Sequence, residues 1–328
     1  MTRKLMARTA LLLSLLLGVT SLAGCGLGTA GGFTPSGRLA GDLADVKSLD
    51  GLSVAVGSKN FTEQLILGKM ALILLKSAGA DTQDYTNIPG SASARQAMLN
   101  GEVDMQWEYT GTGWISYLGH SNPIPDEQKQ YQAVRKEDLR ENDLVWLPPA
   151  PMNNTYGFAT PAEKAKKLGV SKLSDLADLP TDQLTFCVES EFKNRNDGFQ
   201  PMLKKYGLQF GKSVPSGNVK TLDTGAIYAA TDRGVCNFGE VFTTDGRIQA
   251  LNLKVLADDR KFFPLYNVCP VLRKETYQAA PQLRDLFEPV AAKLDNTTLR
   301  KLNARVDVKG EQPVDVAYSW LKQEGFLE

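Results

Sequence analysis

The chain has 328 residues with 37 basic and 37 acidic side chains and a single histidine, His120, enough length for two domains with their own cores. Charged residues at 23% and apolar residues at 42% are those of a globular protein rather than a disordered one. Formal neutrality argues against a general nucleic-acid binder, and one histidine removes most imidazole catalysis and His-rich metal sites, so the composition leans away from enzymes.

Arg3, Lys4 and Arg8 precede the apolar run Ala10 to Val19, and no acidic residue occurs before Asp42. A basic start followed by a short apolar stretch has the form of an export signal; a spanning helix needs about 20 apolar residues. Leu22-Ala23-Gly24-Cys25 resembles the cleavage box of bacterial lipoproteins, in which the cysteine is acylated and becomes the first residue. Residues 1–24 are therefore expected to be a signal peptide and Cys25 a lipid anchor. Without the leader, 34 basic face 37 acidic residues, a mildly acidic mature chain.

Residues 25–48 are rich in Gly, Ala, Ser and Thr and lack periodicity, which reads as a flexible tether. Gly26, Gly28 and Gly31 match a dinucleotide-binding spacing by letter, but no strand precedes them and no helix follows, so that reading fails. From Leu52 onward short apolar runs alternate with helical stretches. Ser53–Val56 is a strand. Asn60 with Glu63 has the form of a capping box opening a helix that runs to Ala78 and is closed by Gly79. Tyr85–Ile88 and Val103–Tyr109 are further strands around a helix at Ser93–Leu99. This alternation implies βαβ units and a largely parallel sheet.

A weak internal repeat suggests two similar lobes. Asn100 to Thr110 is echoed by Asp232 to Thr243: each ends a helix at Gly, runs a strand, then sets Glu and an aromatic residue before a Thr-rich turn. Gly57 to Phe61 has a looser echo in Glu189 to Phe192. Ligands of such sheets bind beyond the carboxyl ends of the strands. Further along, Pro161–Leu168 and Leu173–Leu176 read as a short helical pair, and Pro313–Leu327 as an amphipathic helix.

The three remaining cysteines, Cys187, Cys236 and Cys269, fit no zinc spacing. Cys187 and Cys236 fall in the apolar runs Leu184–Val188 and Val235–Phe238, read as neighbouring strands, so an exported chain leaves two readings: a Cys187–Cys236 bridge, the favoured one, or three buried thiols.

The ordered motifs Ser58-Lys59-Asn60-Phe61-Thr62-Glu63-Gln64, Glu108-Tyr109-Thr110-Gly111-Thr112, Asn153-Asn154-Thr155-Tyr156, Ser190-Glu191-Phe192 with Arg195, Thr243-Thr244-Asp245-Gly246-Arg247, and Ala317 with Trp320-Leu321 carry a resemblance. Over about residues 50 to 328 the sequence resembles the substrate-binding subunits of ABC importers for glycine betaine, choline, carnitine and related osmoprotectants. The resemblance implies an α/β, two-lobed periplasmic-binding fold of type II, each lobe a mostly parallel sheet flanked by helices. Lobe 1 would span 50–153 plus 259–328 and lobe 2 residues 154–258, with two hinge crossovers. It implies an aromatic cage for a quaternary ammonium at Tyr109, Tyr156, Phe242 and Tyr266, and a carboxylate side at Lys59, Thr112 and Arg195. Phe242 departs from the Tyr more usual at its position.

The chemistry of these residue types agrees. A trimethylammonium has no N–H to donate, whereas aromatic faces attract it by roughly 0.5–2 kcal/mol per contact. Arg195 offers a planar fork for a carboxylate, and Lys59 lies just before a helix start, where the dipole favours an anion. The implied protein is exported and lies at the outer face of the cytoplasmic membrane or in the periplasm. It is a monomer without cofactor or metal, catalyses nothing, binds no nucleic acid, and delivers its ligand to a membrane permease. The alternatives are an ergothioneine-like betaine or an amino acid as ligand, or a sensor on the same fold.

Overall fold

The computed structural model describes residues 33–328; the expected signal peptide, Cys25 and the first part of the expected tether lie outside the described residues. Two five-stranded sheets dominate. The first is built from β1 (Ser53–Lys59), β2 (Asp81–Ile88), β3 (Met105–Tyr109), β4 (Leu144–Trp146) and β10 (Val268–Arg273), in the order β2-β1-β3-β10-β4. The second is built from β5 (Tyr156–Pro161), β6 (Phe186–Val188), β7 (Val219–Thr221), β8 (Phe238–Phe242) and β9 (Leu253–Val255), in the order β7-β6-β8-β5-β9. The two orders superimpose element for element, so the echo between residues 100–110 and 232–243 reflects two central strands, β3 and β8, in equivalent places.

The sheets are mixed: in each, four strands run in one direction and one is reversed. β1 runs parallel to β2 and β3, but β10 is antiparallel to β3 and β4. In the second sheet β6 is parallel to β7 and β8, while β5 is antiparallel to β8 and β9. The reversed strand in each case, β10 or β5, is the one the chain enters after leaving the other sheet. It arrives without the βαβ crossover that enforces parallel pairing. These crossings at 147–155 and 256–267 leave two connections between the lobes.

Helix α1 (Thr62–Ser77) buries Ile66, Leu67, Met70, Ala71, Leu72, Ile73, Leu74 and Leu75, as an all-round apolar helix must. Its one inward cation, Lys69, pairs with Asp84. In chain order follow α2 (Ser91–Leu99), α3 (Glu127–Asn142), α4 (Ala162–Leu168), α5 (Ser190–Asn194), α6 (Phe199–Lys205), α7 (Thr224–Asp232), α8 (Arg247–Ala250), α9 (Lys274–Ala279), α10 (Leu283–Ala292), α11 (Asn296–Asp307) and α12 (Pro313–Gln323). The last three cover α1, so one apolar cluster joins the first sheet to the C-terminus through Phe287, Leu299 and Trp320. The core of the second lobe is a ring cluster: Phe186 meets Phe199 at 5.2 Å and Phe158 at 5.5 Å between centroids.

Three local expectations differ from the structure. Val235 and Cys236 lie in the turn before β8, not in a strand; Cys236 nevertheless reaches Cys187 on β6, and the two are disulfide-bonded. Cys269 is a buried free thiol. The stretch read as tether is not free throughout: Leu39 forms an antiparallel bridge with Leu327, Ala40 donates to the Phe326 carbonyl at 2.9 Å, and Leu43 is fully buried. Scattered apolar residues anchor that segment where periodicity gave no sign. The third difference, at the start of α1, bears on the site.

Candidate functional site

Between the two sheets lies a cleft of about 890 Å³. It opens at the carboxyl ends of β1, β3, β6 and β8, where such sheets leave loops free. Tyr109 closes β3 and Phe242 closes β8, the same position in each repeat. Tyr156 opens β5, directly opposite Phe242 in the ladder, and Tyr266 sits on the returning crossover just before β10. Gly111 explains how Tyr266 comes so close to the turn after β3: a Cβ there would fall 2.7 Å from the Tyr266 ring and 2.6 Å from the Leu265 carbonyl oxygen.

The rings form a continuous chain along the cleft wall. Tyr109 lies 6.2 Å from Phe61, Phe61 stacks on Phe242 at 5.1 Å, Phe242 meets Tyr156 at 5.3 Å, and Tyr156 meets Tyr266 edge-on at 5.4 Å. All four aromatic residues expected from sequence line the cleft. Phe61 and Tyr117 line it as well, and sequence reasoning assigned neither. Phe61 lies inside the Ser58–Gln64 motif, but nothing local in the sequence reports which way its ring points. Burial pushes the hydroxyls of Tyr109, Tyr117, Tyr156 and Tyr266 well above their ordinary titration range, so these rings are neutral.

The polar expectations Lys59, Thr112 and Arg195 also line the cleft, but both cations are already paired. Lys59 is 4% exposed and its Nζ donates to Glu108 at 2.6 Å. Arg195 gives its fork to Asp197, Nε at 2.6 Å and Nη2 at 2.7 Å, and donates from Nη1 to Glu191 at 3.0 Å. The bidentate face expected for a ligand carboxylate thus holds an internal one, leaving two of the five guanidinium N–H groups. Asp197 is fixed in turn by the Tyr266 hydroxyl at 2.7 Å. Thr112 is 3% exposed, and its hydroxyl makes no side-chain hydrogen bond to a described residue.

Acidic groups were the larger omission. Glu189, Glu191 and Glu240 line the cleft. Glu191 belongs to the recognised Ser-Glu-Phe motif and bridges the lobes: Oε2 accepts the Ser91 backbone N–H at 2.9 Å, at the first residue of α2. Burial alone would raise its pKa, but Lys59, Ser91 and Arg195 together hold it below its ordinary value. Glu240 is 3% exposed; one oxygen accepts the Glu189 backbone N–H at 2.7 Å. Burial, with Glu189 and Glu191 nearby, pushes Glu240 up to about 8.

Behind the rings Glu63 replaces the expected capping box. Helix α1 begins at Thr62 with Phe61 as N-cap and no side-chain cap, and Asn60 instead accepts from Gly90 at 3.4 Å. The Glu63 carboxylate turns inward to four donors: Tyr109 at 2.8 Å, Asn154 at 2.9 Å, Thr244 at 2.6 Å and Asn303 at 3.1 Å. These donors come from both lobes and one crossover, so their combined geometry outweighs a local cap. Beside it, Gly246 packs on α11 so tightly that a Cβ would lie 2.5 Å from the Ala304 Cα. The recognised Thr-Thr-Asp-Gly-Arg motif therefore joins the lobes. Among the described residues no cluster of metal-ligating side chains occurs, and no helix is long and apolar enough to cross a membrane.

Residues 53–323 match the family described as the substrate-binding domain of ABC-type glycine betaine transport systems. The chain is 37% identical over 301 residues to a glycine-betaine-binding protein of Pseudomonas aeruginosa, covering 89% of this chain and 93% of that protein. It is 34% identical to the glycine betaine-binding protein YehZ of Escherichia coli, with 84% and 92% covered. Among solved structures, one described as a glycine betaine/carnitine/choline ABC transporter aligns with a TM-score of 0.67 at 29% identity, covering 83% of this chain and 98% of that one. These relatives are binding proteins and not enzymes, and the two-lobed architecture is theirs. The chain belongs to the substrate-binding proteins of ABC-type glycine betaine importers.

Proposed function

We propose that this protein captures a quaternary ammonium compatible solute, of the class of glycine betaine, choline or carnitine, between its lobes and hands it to a membrane permease. The observation that carries the reading is the unbroken run of rings Tyr109, Phe61, Phe242, Tyr156 and Tyr266 along one cleft wall. Methylated ammonium groups are held by ring faces through the quadrupole and by exclusion of water, with no need for a donor. Phe242 supplies a ring face as well as Tyr does and withholds only a hydroxyl.

Rings from both lobes contribute: Tyr109 and Phe61 from lobe 1, residues 50–153 plus 259–328, and Phe242 and Tyr156 from lobe 2, residues 154–258. A ligand touching both faces favours the closed state over the open one by its extra contacts. The Glu191–Ser91 bond across the mouth would then act with the ligand, and the closed outline is what the permease reads. Thr112 and the two remaining N–H groups of Arg195 are the donors for an acidic tail.

Export through residues 1–24 and acylation at Cys25 fit this role, since a receptor held at the outer face of the membrane stays near its permease. The protein acts as a monomer in this account. Calorimetric titration of unlipidated protein, with Cys25→Ser, against glycine betaine, choline and carnitine tests the reading. Binding of at least one at micromolar level supports it, and the absence of binding to all three overturns it.

A further inference from the structure

Lysine and arginine in the cleft are each spent on an internal acid. Lys59 pairs with Glu108, and Arg195 with Asp197 and Glu191. Glu189 and Glu240 have no basic side chain within ion-pair distance among the described residues, so the cleft carries an acidic excess. On β8, Glu240 lies two residues before Phe242, which sends both side chains to the same face of the strand. Both line the cleft. One Glu240 oxygen is held by the Glu189 N–H; the other makes no hydrogen bond to a described residue. A carboxylate this buried, in the lining of the cleft and with one oxygen unpartnered, is half of an unfinished interaction.

We propose that Glu240 is a specificity determinant of the cleft: its unpartnered oxygen takes a donor O–H or N–H of a methylated ammonium ligand, so that net-positive ligands are preferred over charge-balanced betaines. The inference rests on the ring-lined cleft being the ligand site and adds which ligands within that class it prefers. The charged groups acting on Glu240 are Glu189 and Glu191 at the start of α5 and Arg195 just after it; Asp223, at the N-cap of the neighbouring helix α7, lines the same cleft. The rings of Tyr156 and Phe242 stand beside it in the cleft wall. Arg195 is the only cation of this set and already serves two acids. A ligand cation is therefore what would stabilise an ionised Glu240.

The chemistry has a proton signature. Burial keeps Glu240 protonated in the free protein at neutral pH. An arriving cation favours the ionised form, so a proton leaves to solvent as the ligand enters. A betaine brings its own carboxylate and gains no such advantage.

The experiment is calorimetry of the purified protein with choline and glycine betaine at pH 6 and pH 8, in pairs of buffers with different ionisation enthalpies. Choline affinity is expected to rise about tenfold or more between the two pH values, with net proton release at pH 7. In Glu240→Gln, choline affinity should lose that pH dependence and fall about tenfold at pH 8, while glycine betaine binding changes little. A wild type that binds choline without proton release, or a Glu240→Gln variant that keeps the pH dependence, overturns the inference and leaves the ring-lined site standing. Binding of neither ligand overturns the inference, and the ring-lined site then falls only if carnitine fails to bind as well. Thermal unfolding of the variant separates a lost contact from a lost fold.

Discussion

The Tyr109 hydroxyl donates to the Glu63 carboxylate at 2.8 Å, so the ring that closes the central strand of lobe 1 is oriented by the same carboxylate that Thr244 of lobe 2 reaches at 2.6 Å. One buried acid thereby ties ring position to lobe position. Glu63→Gln keeps the shape but turns an amide N–H toward groups that are themselves donors. It is expected to destabilise the protein by about 1–3 kcal/mol, read from denaturant midpoints. Tyr109→Phe should cost less, because Glu63 retains three donors. Equal losses in the two variants would contradict the hub.

Tyr156 is placed to test the ring wall. Its ring contacts Phe242, Tyr266 and Phe192, and its hydroxyl makes no side-chain hydrogen bond among the described residues. Tyr156→Phe is expected to bind within about twofold of wild type. Tyr156→Ala removes a face worth about 1–2 kcal/mol, a roughly five- to thirtyfold loss of affinity. Calorimetry against the tightest ligand distinguishes these outcomes, and a large loss in Tyr156→Phe would point to the hydroxyl instead.

Gly246 owes its place to closeness rather than to backbone freedom, since its φ is −68°. Gly246→Ala would drive a methyl group into the backbone of α11 at Ala304. Overpacking of this kind costs about 1–3 kcal/mol, and here it also pushes the lobes apart behind the hinge. A lowered melting temperature with weakened ligand affinity is the expected pair of results; an unchanged affinity would separate this contact from closure.

Stability should carry the mark of Glu240. Its folded pKa of about 8 lies above the unfolded carboxylate range, so the folded state binds the extra proton. The favourable contribution is present at low pH and is lost as pH rises from about 4.5 to 8. Comparing the melting temperature of wild type and Glu240→Gln between pH 5 and pH 8 isolates the effect: the variant should gain on wild type as pH rises. A constant difference would contradict it.

Cys187 and Cys236 close a loop across 49 residues of sequence. The chain-entropy argument gives about 4 kcal/mol for such a loop. The double variant Cys187→Ala with Cys236→Ala should show a loss of that order in denaturant unfolding, and a loss below about 1 kcal/mol would assign the pair a minor role.

Much of the lobe plan was legible. Strands and helices alternate with clear apolar spacing, and the echo of residues 100–110 in 232–243 marks β3 and β8 as counterparts. That Tyr109, Tyr156, Phe242 and Tyr266 line one cleft was legible through the ordered motifs. Partners remote in sequence were not: Glu63 read as a capping residue because its local spacing allowed it, while Tyr109, Thr244 and Asn303 reach it only after folding. Likewise Arg195 looked free for a ligand because Asp197, two residues away, gave no sign of turning back onto it. Local periodicity reports which face is apolar; it does not report which charges meet.

The central claim is that the ammonium of the ligand rests against the ring wall. A crystal structure of the protein with its tightest-binding methylated ammonium tests it directly. The account predicts the methyl groups within about 6 Å of the ring centroids of Tyr156 and Phe242, with a ligand carboxylate turned toward Thr112 or a ligand hydroxyl turned toward Glu240. An ammonium turned away from these rings, or a ligand bound outside the cleft, would contradict it.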